Sequence, residues 1–155
     1  MTDDEAKTLG LRALKAGFMV GSTGALYRTG PDEYHEAWRC FAPPARNIVG
    51  DGIGPWFVNG VGDVYSIEEE SAPLALIYHP WPDFRDPATL GVLLAMVREA
   101  WQAPEGRAVP EVGPFCELYG WRFAVGRLSD RQYPSGLEAR ETEAGALVAA
   151  LEAAT

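Results

Sequence analysis

A chain of 155 residues is enough for one self-sufficient domain spanning 1–155, and 47% hydrophobic against 23% charged residues argue against a disordered chain. The net charge is −9, with eleven of the 22 acids before residue 78 and eleven from there on; this argues against nucleic-acid binding, which needs clustered Lys and Arg. The acidic start MTDDEAK carries no apolar leader, and the apolar runs near Ala72–Tyr78 and Leu90–Val97 are too short to span a bilayer. A cytoplasmic protein without membrane contact is the expectation.

Asp3 or Asp4 opens a predicted first helix that runs to about Ala16 and stops at Gly17. Leu9, Leu11, Ala13 and Leu14 supply its apolar face, and Lys15 suits the negative end of the helix dipole. Short strands follow between glycine-containing turns: Phe18–Val20, Ala25–Arg28, Tyr34–Phe41, Trp56–Asn59, Val64–Ile67 and Leu74–His79. In Tyr34–Phe41, Trp38 and Cys40 fall on one side, Arg39 and Phe41 on the other. Asn59-Gly60 reads as a hairpin tip, because both residue types tolerate positive φ. Leu74–Tyr78 is continuously apolar, as suits a strand covered on both faces, and Pro80 and Pro82 are expected to stop the sheet.

Asp86–Trp101 carries the strongest helical signal. Asp86 is a capping residue, and Pro87 stands where its missing N–H costs nothing. Leu90, Leu93, Leu94, Val97 and Trp101 share one face, while Val92, Ala95 and Met96 make the far side apolar too. This predicts a helix covered on more than one side, at the centre of the core. Gln102–Pro114 holds three prolines and reads as an irregular surface connection. Phe115–Tyr119 and Trp121–Arg127 read as strands, with Gly120 either a tight turn or a bulge. A last helix is expected from about Gly136, with Ser135 and Glu138 at capping-box spacing and Thr142 as a later start. Ala144, Leu147, Val148 and Leu151 form its buried stripe, with Leu137 in phase. The order implies α+β: a single antiparallel or mixed sheet packed by two to three helices.

Residues with chemistry are sparse. Gly50–Gly54 is glycine-rich, but Pro55-Trp56-Phe57 follows where a phosphate-binding loop needs a helix, so it reads as a turn. His35 and His79 stand near carboxylates and are the residues a metal would use, yet their spacing fits no defined ligand pattern. No metal and no cofactor are therefore expected. Cys40 and Cys116 lack CxxC spacing and read as reduced, buried, small hydrophobic residues. No Gly-x-Ser-x-Gly elbow occurs, and Glu68-Glu69-Glu70 reads as a solvated run. Tyr78, Trp81, Asp83 and Phe84, in a loop interrupted by prolines, together with Trp56 and Phe57, are the candidate contact residues. The competing reading folds Trp81 and Phe84 back as a lid on the core.

Three segments, Thr8–Phe18 (TLGLRALKAGF), Asp86–Trp101 (DPATLGVLLAMVREAW) and Thr142–Ala154 (TEAGALVAALEAA), resemble uncharacterised small acidic proteins of tailed phages and prophages of high-GC bacteria. The likeness covers about a quarter of the chain and departs at Gly145, where those proteins usually carry Glu. The bias to eleven Arg over two Lys agrees with a high-GC source. The resemblance implies a genomic setting and a fold; it assigns no catalytic residue. The expectation is a phage-type accessory protein, not an enzyme, that binds a protein partner and inhibits or modulates it. The rivals are a metal- or ligand-dependent enzyme using His35, His79 and nearby carboxylates, and a structural or self-assembling phage component.

Overall fold

The computed structural model describes residues 1–29, 37–41, 55–60, 62–66 and 80–155. The fold is α+β. Among the described residues there are three helices, α1 (Asp3–Lys15), α2 (Pro87–Ala100) and α3 (Glu143–Ala154). The strands are β1 (Leu26–Thr29), β2 (Ala37–Phe41), β3 (Trp56–Val58), β4 (Val64–Ser66), β5 (Pro80–Pro82), β6 (Arg107–Val112) and β7 (Leu118–Ala124). They form two antiparallel sheets where one was expected: a five-stranded sheet in the order β4-β3-β2-β1-β5, and a β6–β7 ribbon. The chain divides into two compact units, Met1–Leu11 with Met19–Val92, and Arg12–Phe18 with Leu93–Thr155.

In the first unit, β1 pairs with β2 through Tyr27↔Trp38, and β2 with β3 through Cys40↔Phe57. The period-2 pattern holds in β2, where Trp38 and Cys40 are buried and their neighbours are half-buried. Tyr27 meets Phe57 edge-on at 5.7 Å, and its hydroxyl donates to the Met19 carbonyl. Burial pushes that phenol up to about 12. Burial likewise pushes the Cys40 thiol up to about 11.

Three expectations change here. Pro80-Trp81-Pro82 does not stop the sheet; it forms β5, at the edge beside β1, where a strand with missing N–H groups is tolerated. Residues Phe18–Val20 are not a strand, because Phe18 closes the end of α1, its N–H bonding the Ala13 carbonyl next to Gly17 at φ 101°. The β3–β4 hairpin exists, but positive φ falls at Gly62, and Asn59 Oδ1 accepts from the Asp63 N–H to tie the turn. The strand expected over Leu74–His79 lies outside the described residues.

α1 begins with a capping box set one residue earlier than the acids. Glu5 N–H donates to Thr2 Oγ1, and Thr2 N–H donates to the Glu5 carboxylate. Leu9 and Ala13 are buried, Leu14 is half-buried, and Leu11 is exposed. α2 starts as expected, with Asp86 Oδ2 accepting from the Thr89 N–H at 2.9 Å. Its burial is narrower than its composition implies: Thr89, Leu93 and Val97 are buried, whereas Leu90, Val92, Leu94 and Met96 are half-buried and Ala95 is exposed. An i, i+4, i+8 stripe facing one way accounts for this.

The enclosed helix is α3. Every residue from Ala144 to Leu151 is buried. The small side chains of Ala144, Gly145, Ala146, Ala149 and Ala150 let neighbours close on several sides, and β6 and β7 pack against it. The Trp101 indole N–H donates to the Ala150 carbonyl at 2.8 Å. The helix does not open at about Gly136 as expected but at the later alternative, with Thr142 Oγ1 accepting from Gly145 N–H at 3.0 Å. Residues 135–142 stay extended or turned because Arg140 bridges Trp121 on the ribbon, with N···O distances of 2.6 and 2.7 Å.

β6 occupies part of the segment expected to be irregular. Pro110 is tolerated because a two-stranded ribbon offers an edge on each strand. Gly120 sits in a bulge: the register slips between Glu111↔Gly120 and Val112↔Leu118. A Cβ on Gly120 would lie 2.8 Å from the Arg140 carbonyl oxygen, so the bridge itself demands glycine.

Leu93 is fully buried and Leu11 is 42% exposed. Leu93→Ala should lose about 2–5 kcal/mol of stability through the cavity it leaves. Leu11→Ala should change stability by under about 0.5 kcal/mol. Urea denaturation of the two variants beside the parent chain measures both, and equal losses would contradict the burial described.

Candidate functional site

The β6–β7 ribbon reaches an apex over Gly113–Glu117 that is built as a defined loop. Gly113 N–H donates to the Glu117 carbonyl at 2.8 Å, and Cys116 N–H to the Gly113 carbonyl at 3.0 Å. The Glu117 carboxylate accepts from the Phe115 N–H and from the Tyr119 hydroxyl, both at 2.8 Å. Its own backbone N–H, then the Tyr119 hydroxyl, hold that carboxyl below its ordinary value, and the same bond raises the Tyr119 phenol. Cys116 takes φ 61° to close the loop. The expectation that both cysteines are buried is thus corrected: Cys40 is, and Cys116 is exposed at this apex.

The apex displays apolar groups. Phe115 is 88% exposed, Tyr119 67%, and Val112 and Leu118 56% each. Placing these large side chains in water is unfavourable, which makes the apex a candidate site. Below it, Glu111 pairs with Arg122 at 2.9 Å, and the Arg122 guanidinium lies 5.4 Å from the Tyr133 ring centre.

Tyr133 also lines an open cleft of about 550 Å³, with Trp101, Pro104, Val125, Gln132 and Pro134 among its walls. That volume is within the range of ligand-binding clefts. The cleft begins where α2 ends. Gln102 takes φ 49°, its N–H bonding the Glu99 carbonyl while Ala103 N–H bonds that of Arg98, a helix stop usually built on glycine. The opposite wall is held by reciprocal backbone bonds between Val125 and Gln132, both 2.9 Å.

The residues expected to form a contact surface lie elsewhere. Trp56, Phe57, Trp81 and Phe84 are buried in the first unit, and Asp83 is 1% exposed. The correction has a physical cause: the prolines flanking Trp81 place it in strand β5, with its ring in the core instead of at a loop tip. Tyr78, His35 and His79 lie outside the described residues, as do Gly50–Gly54 and Glu68–Glu70. Among the described residues, no group of three or more His, Cys, Asp or Glu is placed to hold a metal. No helix among them is long and apolar enough to cross a membrane.

Asp83 instead anchors an ionic network. Its carboxylate accepts from Arg28 Nε and from Arg85 Nε and Nη2, and Arg85 Nη1 reaches Asp3 at 2.6 Å. Burial pushes the Asp83 carboxyl up, but the hydrogen bonds from Arg85 and Arg28 prevail and hold it below its ordinary value. Asp86 accepts two bonds from Arg39 at 2.8 and 2.9 Å and a third from the Thr89 hydroxyl. Arg39, then Thr89, hold the Asp86 carboxyl at about 2. These are structural ion pairs in a capped helix start.

No family model, curated protein or solved structure matches the chain.

Because Asp86 titrates at about 2 when folded and near its ordinary 3.8 when unfolded, its contribution is full above pH 4 and fades as the pH falls from 4 towards 2. The depressed Asp83 acts in the same direction. Stability should therefore be flat from pH 7 to 5 and fall on acidification. Asp86→Asn should lower stability at pH 7 by about 1–2 kcal/mol and flatten the acid limb. Urea midpoints across pH 7 to 2 test this; an unchanged acid limb in the variant would refute it.

Proposed function

We propose that this chain is a protein-binding domain that docks a partner through the apex of the β6–β7 ribbon. The reading extends to a phage- or prophage-type accessory protein that inhibits or modulates a host protein. The observation that carries the binding role is Phe115, 88% exposed at the tip of a loop held by the Glu117 carboxylate. The loop backbone that carries the ring is hydrogen-bonded before contact, so docking loses little backbone entropy and burial of the ring favours the complex. Val112 and Leu118, paired across the ribbon, and Tyr119 are further exposed apolar side chains beside the apex. The net charge of −9 favours approach to a basic partner surface. The phage setting comes from the resemblance of the three helical segments alone.

Phe115→Ser tests the reading without touching the core. Thermal unfolding should match the parent within about 0.5 kcal/mol, as for other exposed substitutions. Affinity capture from lysate of the source organism, followed by titration with the purified captured protein, should show binding about tenfold weaker or worse for the variant. Equal affinity of parent and variant would overturn the role of the apex.

A further inference from the structure

The cleft at the end of α2 has a composition that the apex does not explain. Its walls join two aromatic rings, Trp101 and Tyr133, to two prolines, Pro104 and Pro134. The Trp101 N–H is already bonded to the Ala150 carbonyl, so the indole offers the cleft only apolar surface. Backbone recognition is closed off along one wall, because Val125 and Gln132 satisfy each other's N–H and C=O groups. An added β-strand would find no ladder there. What remains for a ligand is ring surface and side-chain donors: the Tyr133 hydroxyl and the Gln102 and Gln132 amides, none hydrogen-bonded among the described residues.

That combination suits an extended chain whose carbonyls are free and which asks for no partner for its N–H groups. Polyproline II segments have this chemistry, since their carbonyls are solvated and their rings pack flat on aromatic surfaces. They are also stiff before binding, which limits the entropy lost in an open cleft. Charge selects further. Glu105 is the charged residue in this cleft's lining, and the chain as a whole is at −9. Arg107 stands nearby, but Nη1 is bonded to the Glu105 and Gly126 carbonyls and Nη2 is buried. Arg122 lies over the Tyr133 ring but is ion-paired with Glu111, so the charge in the lining without an ion pair among the described residues is the Glu105 carboxylate.

We infer that the Trp101–Tyr133 cleft binds an extended, proline-containing segment of a partner protein that carries Arg or Lys beside its prolines. The inference rests on the reading of the chain as a protein-binding domain but not on Phe115, which is not among the residues lining the cleft.

A random dodecapeptide library displayed on phage and selected on the intact chain is the probe. Enriched peptides should carry two or more prolines with an adjacent Arg or Lys. The best of them, synthesised with a fluorescent label, should bind the parent chain in polarisation titrations. Tyr133→Ala should weaken that binding at least about tenfold, and Glu105→Gln should weaken it less and reduce its salt dependence. Gln132→Ala, at an exposed side chain, gives a second variant should Tyr133→Ala disturb the fold, and should also weaken binding. Phe115→Ser should leave peptide affinity unchanged. Enrichment of proline-free peptides, no enrichment, or affinity indifferent to Tyr133 and Gln132 would overturn the inference. Those results alongside Phe115-dependent partner capture would remove the cleft and leave the apex standing; the expected peptide binding alongside partner capture that Phe115→Ser leaves unchanged would do the reverse.

Discussion

Asp86 closes the first turn of α2 with one oxygen and takes both arms of Arg39, on the sheet strand β2, with the pair. Thr89, held by the same carboxylate, then accepts from the Leu26 N–H of β1. A single side chain thus satisfies a helix end, a guanidinium and, through one hydroxyl, a strand donor. Each of these groups would cost free energy if buried unpaired, so removing the carboxylate has consequences in several places at once. The neighbouring Asp83 does the same for Arg28 and Arg85. Burying an ion pair gains little over apolar packing, but breaking one leaves a charge stranded, and this asymmetry makes the arrangement specific.

The second unit is organised by different means. Its helix α3 is enclosed because its residues are small, and the ribbon β6–β7 lies against it. The ribbon continues past Gly120 to an apex where Phe115, Leu118 and Tyr119 contact water. Among the described residues, the two non-glycine residues with positive φ, Gln102 and Cys116, fall at the cleft and at the apex. Residues held in such conformations persist where surrounding bonds over-determine them, and they concentrate at sites of recognition. Unit two therefore supplies both surfaces on which binding is proposed, and unit one the densest ionic anchoring.

Much of the fold was legible locally. The cap and proline at Asp86-Pro87, the stop at Gly17, the alternation of Trp38 and Cys40, and the stripe Ala144, Leu147, Val148 and Leu151 all follow from short-range stereochemistry. The site was not legible. Three prolines between 102 and 114 disguised strand β6, since proline argues against a central strand but is harmless in a ribbon with two edges. Trp81, in a stretch whose prolines suggested a loop, allowed a contact anchor or a core residue; in the edge strand β5 it is a core residue. Val112, Gly113, Pro114 and Phe115 held the available signal, an apolar residue either side of a Gly-Pro turn with no polar alternation.

By itself, the sequence determined where α1 and α2 start and stop, which residues prefer strands, and that the class is α+β, because caps, prolines and side-chain periods act over a few residues. The tertiary structure decided which helix is enclosed, that two sheets form instead of one, and which aromatics meet water. Those outcomes depend on partners distant in the chain. Arg140 meets Trp121, Ala150 meets Trp101, and Tyr133 meets Arg122, and no local pattern encodes such pairings.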